Sequence, residues 1–230
     1  MSNPGHPPSV INKEGLSNVS LAELAAHILE RTVHDGRLVI AIAGPPGSGK
    51  STATDALEVM LARNEGLQVQ VVPMDGFHYD NAILDQLGLS QRKGAPETFD
   101  VGGLDAVLKR LTSKNQTESV AVPVFDRNRD LSIASARLIG KKTTVLLIEG
   151  NYLLLKNGPW SHLKKYFDVC VMLPCDEVTL RERLIGRWKD LNYSHEDATI
   201  KVELNDMPNA ELIIRQSSSA DMNLKWNKSE

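Results

Sequence analysis

Gly44-Pro45-Pro46-Gly47-Ser48-Gly49-Lys50-Ser51 follows the short apolar run 38–43 and precedes a helical stretch over about 50–63. These eight residues satisfy G-x-x-x-x-G-K-[ST] at every fixed position, in the strand, loop and helix setting that its chemistry needs. Gly44, Gly47 and Gly49 allow the backbone to bend until its N–H groups converge on phosphate oxygens, and the helix N-terminus adds a favourable dipole. Lys50 is placed to reach the β- and γ-phosphates, and Ser51 to offer its hydroxyl to Mg²⁺. The segment from Gly44 to Thr52, with Pro45, Pro46 and Ser48, is the expected nucleotide site, and ATP and Mg²⁺ are the expected cofactors. The plain alternative is a glycine-rich turn that happens to contain a lysine.

Working outward, residues 69–72 form a second β-prone run ending at Pro73. Residues 143–148 and 167–173 give two more runs of the kind expected of strands buried on both faces. Between them lie helical patterns: Leu104, Val107, Leu108 and Leu111, and a stretch beginning at Asp176 with Leu180, Leu184 and Trp188 at steps of four. Strands alternating with helices predict an α/β fold, a three-layer P-loop NTPase with a mainly parallel central sheet. Ser20 with Glu23 reads as a capping box and Val19 with Leu24 as a hydrophobic staple, so a helix is predicted to start near Leu21. Residues 1–18 read as a flexible polar tail, and 19–230 as one domain. Residues 209–215 are read as a late strand, and 88–103, rich in turn residues and charge, as an excursion over the active face.

The 230 residues are 41% hydrophobic and 24% charged, enough for one sizeable core. A formal net charge of −3 argues against a general nucleic-acid or membrane-surface binder and leaves small anionic ligands open. The first 18 residues lack the basic start and apolar run of a signal peptide, and no apolar run approaches the roughly 20 residues of a membrane span. Cys170 and Cys175 lack metal or redox spacing, which fits a reducing cytoplasm, and Cys170 reads as core packing.

Asp75 follows the second strand, at the carboxyl edge where ligands of parallel sheets gather. It suits two roles there, taking the proton of an attacking hydroxyl or holding the metal, against a plain turn cap. Glu149 ends the run Leu146-Leu147-Ile148 at the same edge and is the candidate metal-side carboxylate, against an ordinary strand-end acid. Arg183 and Arg187 stand four apart, away from the Leu184, Ile185 and Trp188 face, and both are expected to point at one anion, closing over the nucleotide in a lid over about 181–200. A solvated basic face is the competing reading. Arg92, Lys93, Arg127 and Arg129 lie in loops over the active edge, and His78 is a candidate substrate contact as much as a packing residue.

Taken together, the P-loop, MDGFHYDNAILDQLGL (74–89) with RKGAPETFD (92–100), VPVFDRNRD (122–130) and LLIEGNYLL (146–154) resemble the phosphoribulokinase, uridine kinase and bacterial pantothenate kinase superfamily over about 39–188. The second block looks most like pantothenate kinase, and the chain is also similar to bacterial nucleoside or fructose kinase-like proteins. The resemblance implies that Asp75 is the catalytic base, Glu149 the metal-side carboxylate and Arg183 with Arg187 the lid arginines. His78 and Tyr79 fall where relatives contact the acceptor, and Arg127 is a further candidate there. Uridine kinases carry Tyr-Asp-Phe and a nearby histidine where this chain has Phe125-Asp126-Arg127 and Asp130, which disfavours a pyrimidine nucleoside. The segment KDLNYSHED (189–197) lacks the arginine and glycine expected of a lid.

The resulting expectation is an ATP-dependent kinase acting on a hydroxyl of a small metabolite, with a sugar such as fructose preferred over a nucleoside or a pantothenate-like acceptor. A nucleotide switch without an acceptor and a nucleotide kinase are the rivals. No nucleic-acid or membrane partner is expected, and a homodimer is allowed.

Overall fold

The computed structural model describes residues 17–32, 36–113 and 117–226. Six strands form one sheet in the order β1 (Ser17–Val19), β8 (Met222–Leu224), β7 (Val169–Met172), β2 (Leu38–Ala43), β6 (Val145–Gly150), β3 (Val69–Pro73), and every pairing in it is parallel. The sheet is covered on both faces because its central strands are apolar along their length up to the carboxyl edge, where β6 carries Glu149. On β2, Val39, Ala41 and Ala43 join one core cluster while Ile40 and Ile42 join the other, and β6 divides in the same way. Helices α1 (Leu21–Arg31) and α2 (Lys50–Leu61) fill the second cluster through Leu24, Ile28, Ala53 and Leu57. Helix α3 (Asn81–Leu87) buries Leu84, and helix α4 (Val101–Leu111) fills the first cluster through Leu104, Leu108 and Leu111.

The predicted α/β fold and parallel strands are therefore found, and the capping box at Ser20 and Glu23 forms as expected. The expected loose tail runs over residues 1–18, of which 1–16 lie outside the described residues. Ser17 and Asn18 belong instead to β1, paired with Met222 and Asn223. The expected late strand over 209–215 is a helix, α7 (Met207–Gln216), whose buried Met207, Ala210 and Ile213 recur every third residue. Cys170 is buried, as its reading as core packing required. No helix among the described residues is long and apolar enough to cross a membrane.

Two features position the site. Because β2, β3, β6 and β7 are parallel, their carboxyl ends meet at one edge: Ala43 is level with Gly150 and Met172, and Pro73 with Glu149. Above that edge stands an antiparallel hairpin, β4 (Val120–Asp126) and β5 (Leu131–Ile139), which packs against the 3-10 turn Met74–Phe77. Gly76 makes that approach possible, since a Cβ there would lie 2.4 Å from the Pro123 carbonyl oxygen. Gly76→Ala must push the hairpin off the turn that carries Asp75, and is expected to lower stability by about 1–3 kcal/mol, read as a fall in the urea midpoint at unchanged slope.

Candidate active site

The loop after β2 turns on Gly47 and Gly49, at φ +81° and +94°, in the left-handed region where glycine carries no Cβ penalty. Gly44, Pro45 and Pro46 are buried, and Thr52 is exposed one residue beyond Ser51 on α2. Lys50 Nζ is buried and donates to the Pro45 carbonyl at 3.0 Å. Burial lowers the affinity of this ammonium for its proton, and the charges of Glu149 and Asp75 act against that. The Ser48 hydroxyl oxygen is buried without a hydrogen-bond partner among the described residues. An orphaned hydroxyl is costly in a finished site and is what a phosphate oxygen would satisfy. The loop thus fits the triphosphate that its sequence implies.

Glu149 is the penultimate residue of β6 and is buried, and burial, reinforced by Asp75, pushes its pKa up to about 7, while Lys50 and a hydrogen bond from Ser51 act the other way. Asp75 sits in the 3-10 turn directly after β3, with its side chain 33% exposed and Arg127 Nη2 3.9 Å from its Oδ2. Asp75, Glu149, Ser51 and Arg127 line one cavity of about 390 Å³, together with Phe125 and Arg137 from the hairpin. No cluster of three or more His, Cys, Asp or Glu residues suited to a metal exists among the described residues. The Ser51 hydroxyl and the Glu149 carboxyl, which share a hydrogen bond in this cavity, are a donor set that fits Mg²⁺, an ion bound through one or two protein groups plus substrate phosphates.

His78 and Tyr79 are not among the residues lining that cavity. His78 lies one ring behind it: Nδ1 is 2.8 Å from the Asp75 carbonyl oxygen, and the imidazole packs on Phe99 and Phe125 at centroid distances of 3.9 and 4.7 Å. Tyr79 is half-buried and ties its N–H to the Thr98 carbonyl. Burial moves the His78 pKa below 6.5, against the charge of Asp75 and its backbone hydrogen bond and that of Asp130, with Lys93 adding to the fall. In the unfolded chain the ring takes its proton as the pH falls through 6.5, and in the folded chain only lower. Stability from this group is therefore full above that pH and lost below it. Glu149, pushed up to about 7, gains stability as the pH falls over the same range, so the His78 contribution is read as a difference: between pH 7.5 and 5 the melting temperature of the unaltered protein is expected to drop relative to that of His78→Gln.

Arg183 lies on the glycine loop, its Nη1 donating to the carbonyls of Gly47 and Ser48 at 3.3 and 3.2 Å. Both arginines come from α5 (Glu177–Asp190), capped by Asp176 through the Thr179 N–H. The Arg187 guanidinium is 5.9 Å from the Trp188 ring, and its charge acts on Lys50. Helix α6 (His195–Lys201) and the π-helical turn Val202–Asp206 follow, and Leu180, Leu184, Val202, Met207 and Ala210 pack as a small core of their own.

Of the four loop cations, Arg127 is the one that shares the cavity with Asp75. Lys93 Nζ instead pins the hairpin tip, 2.8 Å from Asp130 Oδ2, and reaches Asn81 Oδ1 at 2.7 Å. Arg92 turns to Asn205, with Nη1 2.8 Å from its Oδ1, and Arg129 pairs with Asp126 at 3.6 Å. Two site residues escaped the sequence reading. Arg137 lines the cavity from β5 and donates to the Val71 carbonyl at 2.6 Å; its signal was a basic residue in the exposed stretch LSIASARLI (131–139), which the sequence reading passed over. Trp226 lines a second cavity, with Ser48 and Arg183, and its signal was a tryptophan in an otherwise polar chain end.

A family model described as the phosphoribulokinase/uridine kinase family matches residues 39–229. The chain belongs to this family. An uncharacterised Escherichia coli protein, YggC, is 33% identical over 81% of this chain and 76% of its own length. A Schizosaccharomyces pombe protein provisionally named a uridine kinase is 32% identical over 90% of each chain. Among solved structures, a Silicibacter protein provisionally named a fructose transport system kinase is 40% identical, with a TM-score of 0.84 over 91% of this chain and all of that one. Membership of the phosphoribulokinase/uridine kinase family makes this a P-loop kinase fold, consistent with a small-molecule kinase.

Proposed function

We propose that this protein is an ATP-dependent kinase that transfers the γ-phosphoryl group to a hydroxyl of a small metabolite, with a sugar such as fructose as the favoured acceptor. The observation that carries the reading is the pair Asp75 and Glu149, delivered by adjacent strands into the cavity that also holds Ser51 and Arg127. Asp75, partly open to that cavity, takes the proton of the acceptor hydroxyl. Lys50 and the loop N–H groups hold the phosphates, Arg183 and Arg187 supply positive charge above them, and Arg127 orients both Asp75 and the acceptor. Mg²⁺, held by Ser51 and Glu149, would supply neutralising charge between the phosphates. His78 and Tyr79 support the acceptor side from behind Phe125. The catalytic unit is one domain working in the cytoplasm on small molecules, without nucleic-acid or membrane partners.

The fructose-kinase likeness at 40% identity supports a sugar acceptor, and the uridine-kinase likeness keeps nucleosides as the competing class. A panel of hexoses, pentoses, nucleosides and pantothenate with Mg·ATP, scored by product mass, separates them. Fructose or another sugar is expected to give a phosphorylated product. A phosphorylated nucleoside with no sugar product would overturn the acceptor assignment while leaving the kinase reading in place.

A further inference from the structure

A second cavity of about 510 Å³ opens beside the glycine loop, lined by Ser48, Pro174, Cys175, Asp176, Thr179, Arg183 and Trp226. It adjoins the phosphate loop on the side away from Asp75, and has one aromatic side chain in its lining. The Trp226 indole lies directly on the loop: a Cβ added to Gly49 would sit 3.2 Å from its Cδ1 and 3.5 Å from its Nε1, with Arg183 Nη1 at 3.9 Å from the same point. A flat aromatic ring and a guanidinium meeting at the end of a phosphate cradle is a surface suited to a nucleobase.

What holds Trp226 there is a contact between the two ends of the described chain. Trp226 follows β8, which is flanked on one side by β7 and on the other by β1, in the register Ser17 to Met222, Asn18 to Asn223 and Val19 to Leu224. The Lys225 N–H, one residue before the tryptophan, donates to the Val19 carbonyl at 2.8 Å. Strand β1 lies outside the 39–229 span of the family match.

We propose that Trp226, with Arg183, forms the stacking surface for the purine ring of the bound nucleotide, and that β1 is a positioning strand that holds Trp226 over the glycine loop. The inference rests on the reading that the loop binds a nucleoside triphosphate, and the test separates the two. Calorimetric titration of the full chain with Mg·ATP and with Mg·tripolyphosphate compares a ligand that has a base with one that lacks it. Trp226→Ala is expected to weaken ATP about tenfold and leave tripolyphosphate unchanged, while Trp226→Phe keeps most of the ATP affinity. Val19→Pro, which removes an N–H from the edge facing β8, is expected to weaken ATP in the same direction. Combined with Trp226→Ala, it is expected to add little to that variant's loss, because both act through one contact.

Equal weakening of ATP and tripolyphosphate in Trp226→Ala would overturn the proposal, because the tryptophan would then be supporting the loop rather than the base. Unchanged ATP affinity in that variant would overturn it as well. Failure of the unaltered protein to bind either ligand would overturn the nucleotide reading itself.

Discussion

Asp75→Asn is expected to lower kcat for acceptor phosphorylation by about 10²–10⁴-fold while Mg·ATP affinity stays close to that of the unaltered protein. Asparagine keeps the size of the side chain and its reach toward Arg127 but accepts no proton at neutral pH. Asp75 is partly exposed at the cavity wall rather than buried in the loop, so its removal leaves the phosphate cradle intact. Single-turnover ADP formation, paired with calorimetry for ATP, measures both halves. Full turnover in the variant would remove Asp75 as the base and favour an acceptor that presents a phosphate, which arrives already ionised.

Lys50→Ala acts on the other half of the site. Lys50 Nζ is buried inside the loop, and loss of a preorganised charge at the transferring group costs about 10²–10³-fold in kcat or more. ATP affinity is expected to fall in the same variant, which distinguishes it from Asp75→Asn. Loss of the ammonium relieves its own desolvation but leaves the Glu149 carboxyl buried without it, so a circular-dichroism melt accompanies the measurement to separate lost stability from lost binding. A Lys50→Ala protein with unchanged ATP affinity and turnover would contradict the loop's assignment.

The sheet was legible because its strands are buried on both faces, so the largely apolar runs 38–43, 143–148 and 167–173 stood out and hold the strands β2, β6 and β7. The phosphate loop was legible because its backbone geometry demands glycine at fixed steps. The β4–β5 hairpin was not, since β5 is exposed over most of its length and its apolar residues mark no continuous buried run. That omission hid Arg137 and the platform that brings Arg127 to Asp75. Residues 209–215 misled through the β-branched pair Ile213-Ile214, where helix packing through Met207, Ala210 and Ile213 overrides local preference. Trp226 was invisible for a different reason: it is positioned by Val19, about two hundred residues away, and such a pairing leaves no local pattern.

Asp75 and the glycine loop are proposed as the two halves of one phosphoryl-transfer site. Phosphorus NMR of the protein with Mg·ATP and the acceptor identified by the substrate panel tests this most directly. A phosphomonoester signal growing in step with ADP, absent without acceptor and suppressed by Asp75→Asn, is the predicted result. ADP accompanied by inorganic phosphate alone, at a rate indifferent to acceptor and to Asp75, would contradict it and leave a nucleotide hydrolase or switch in its place.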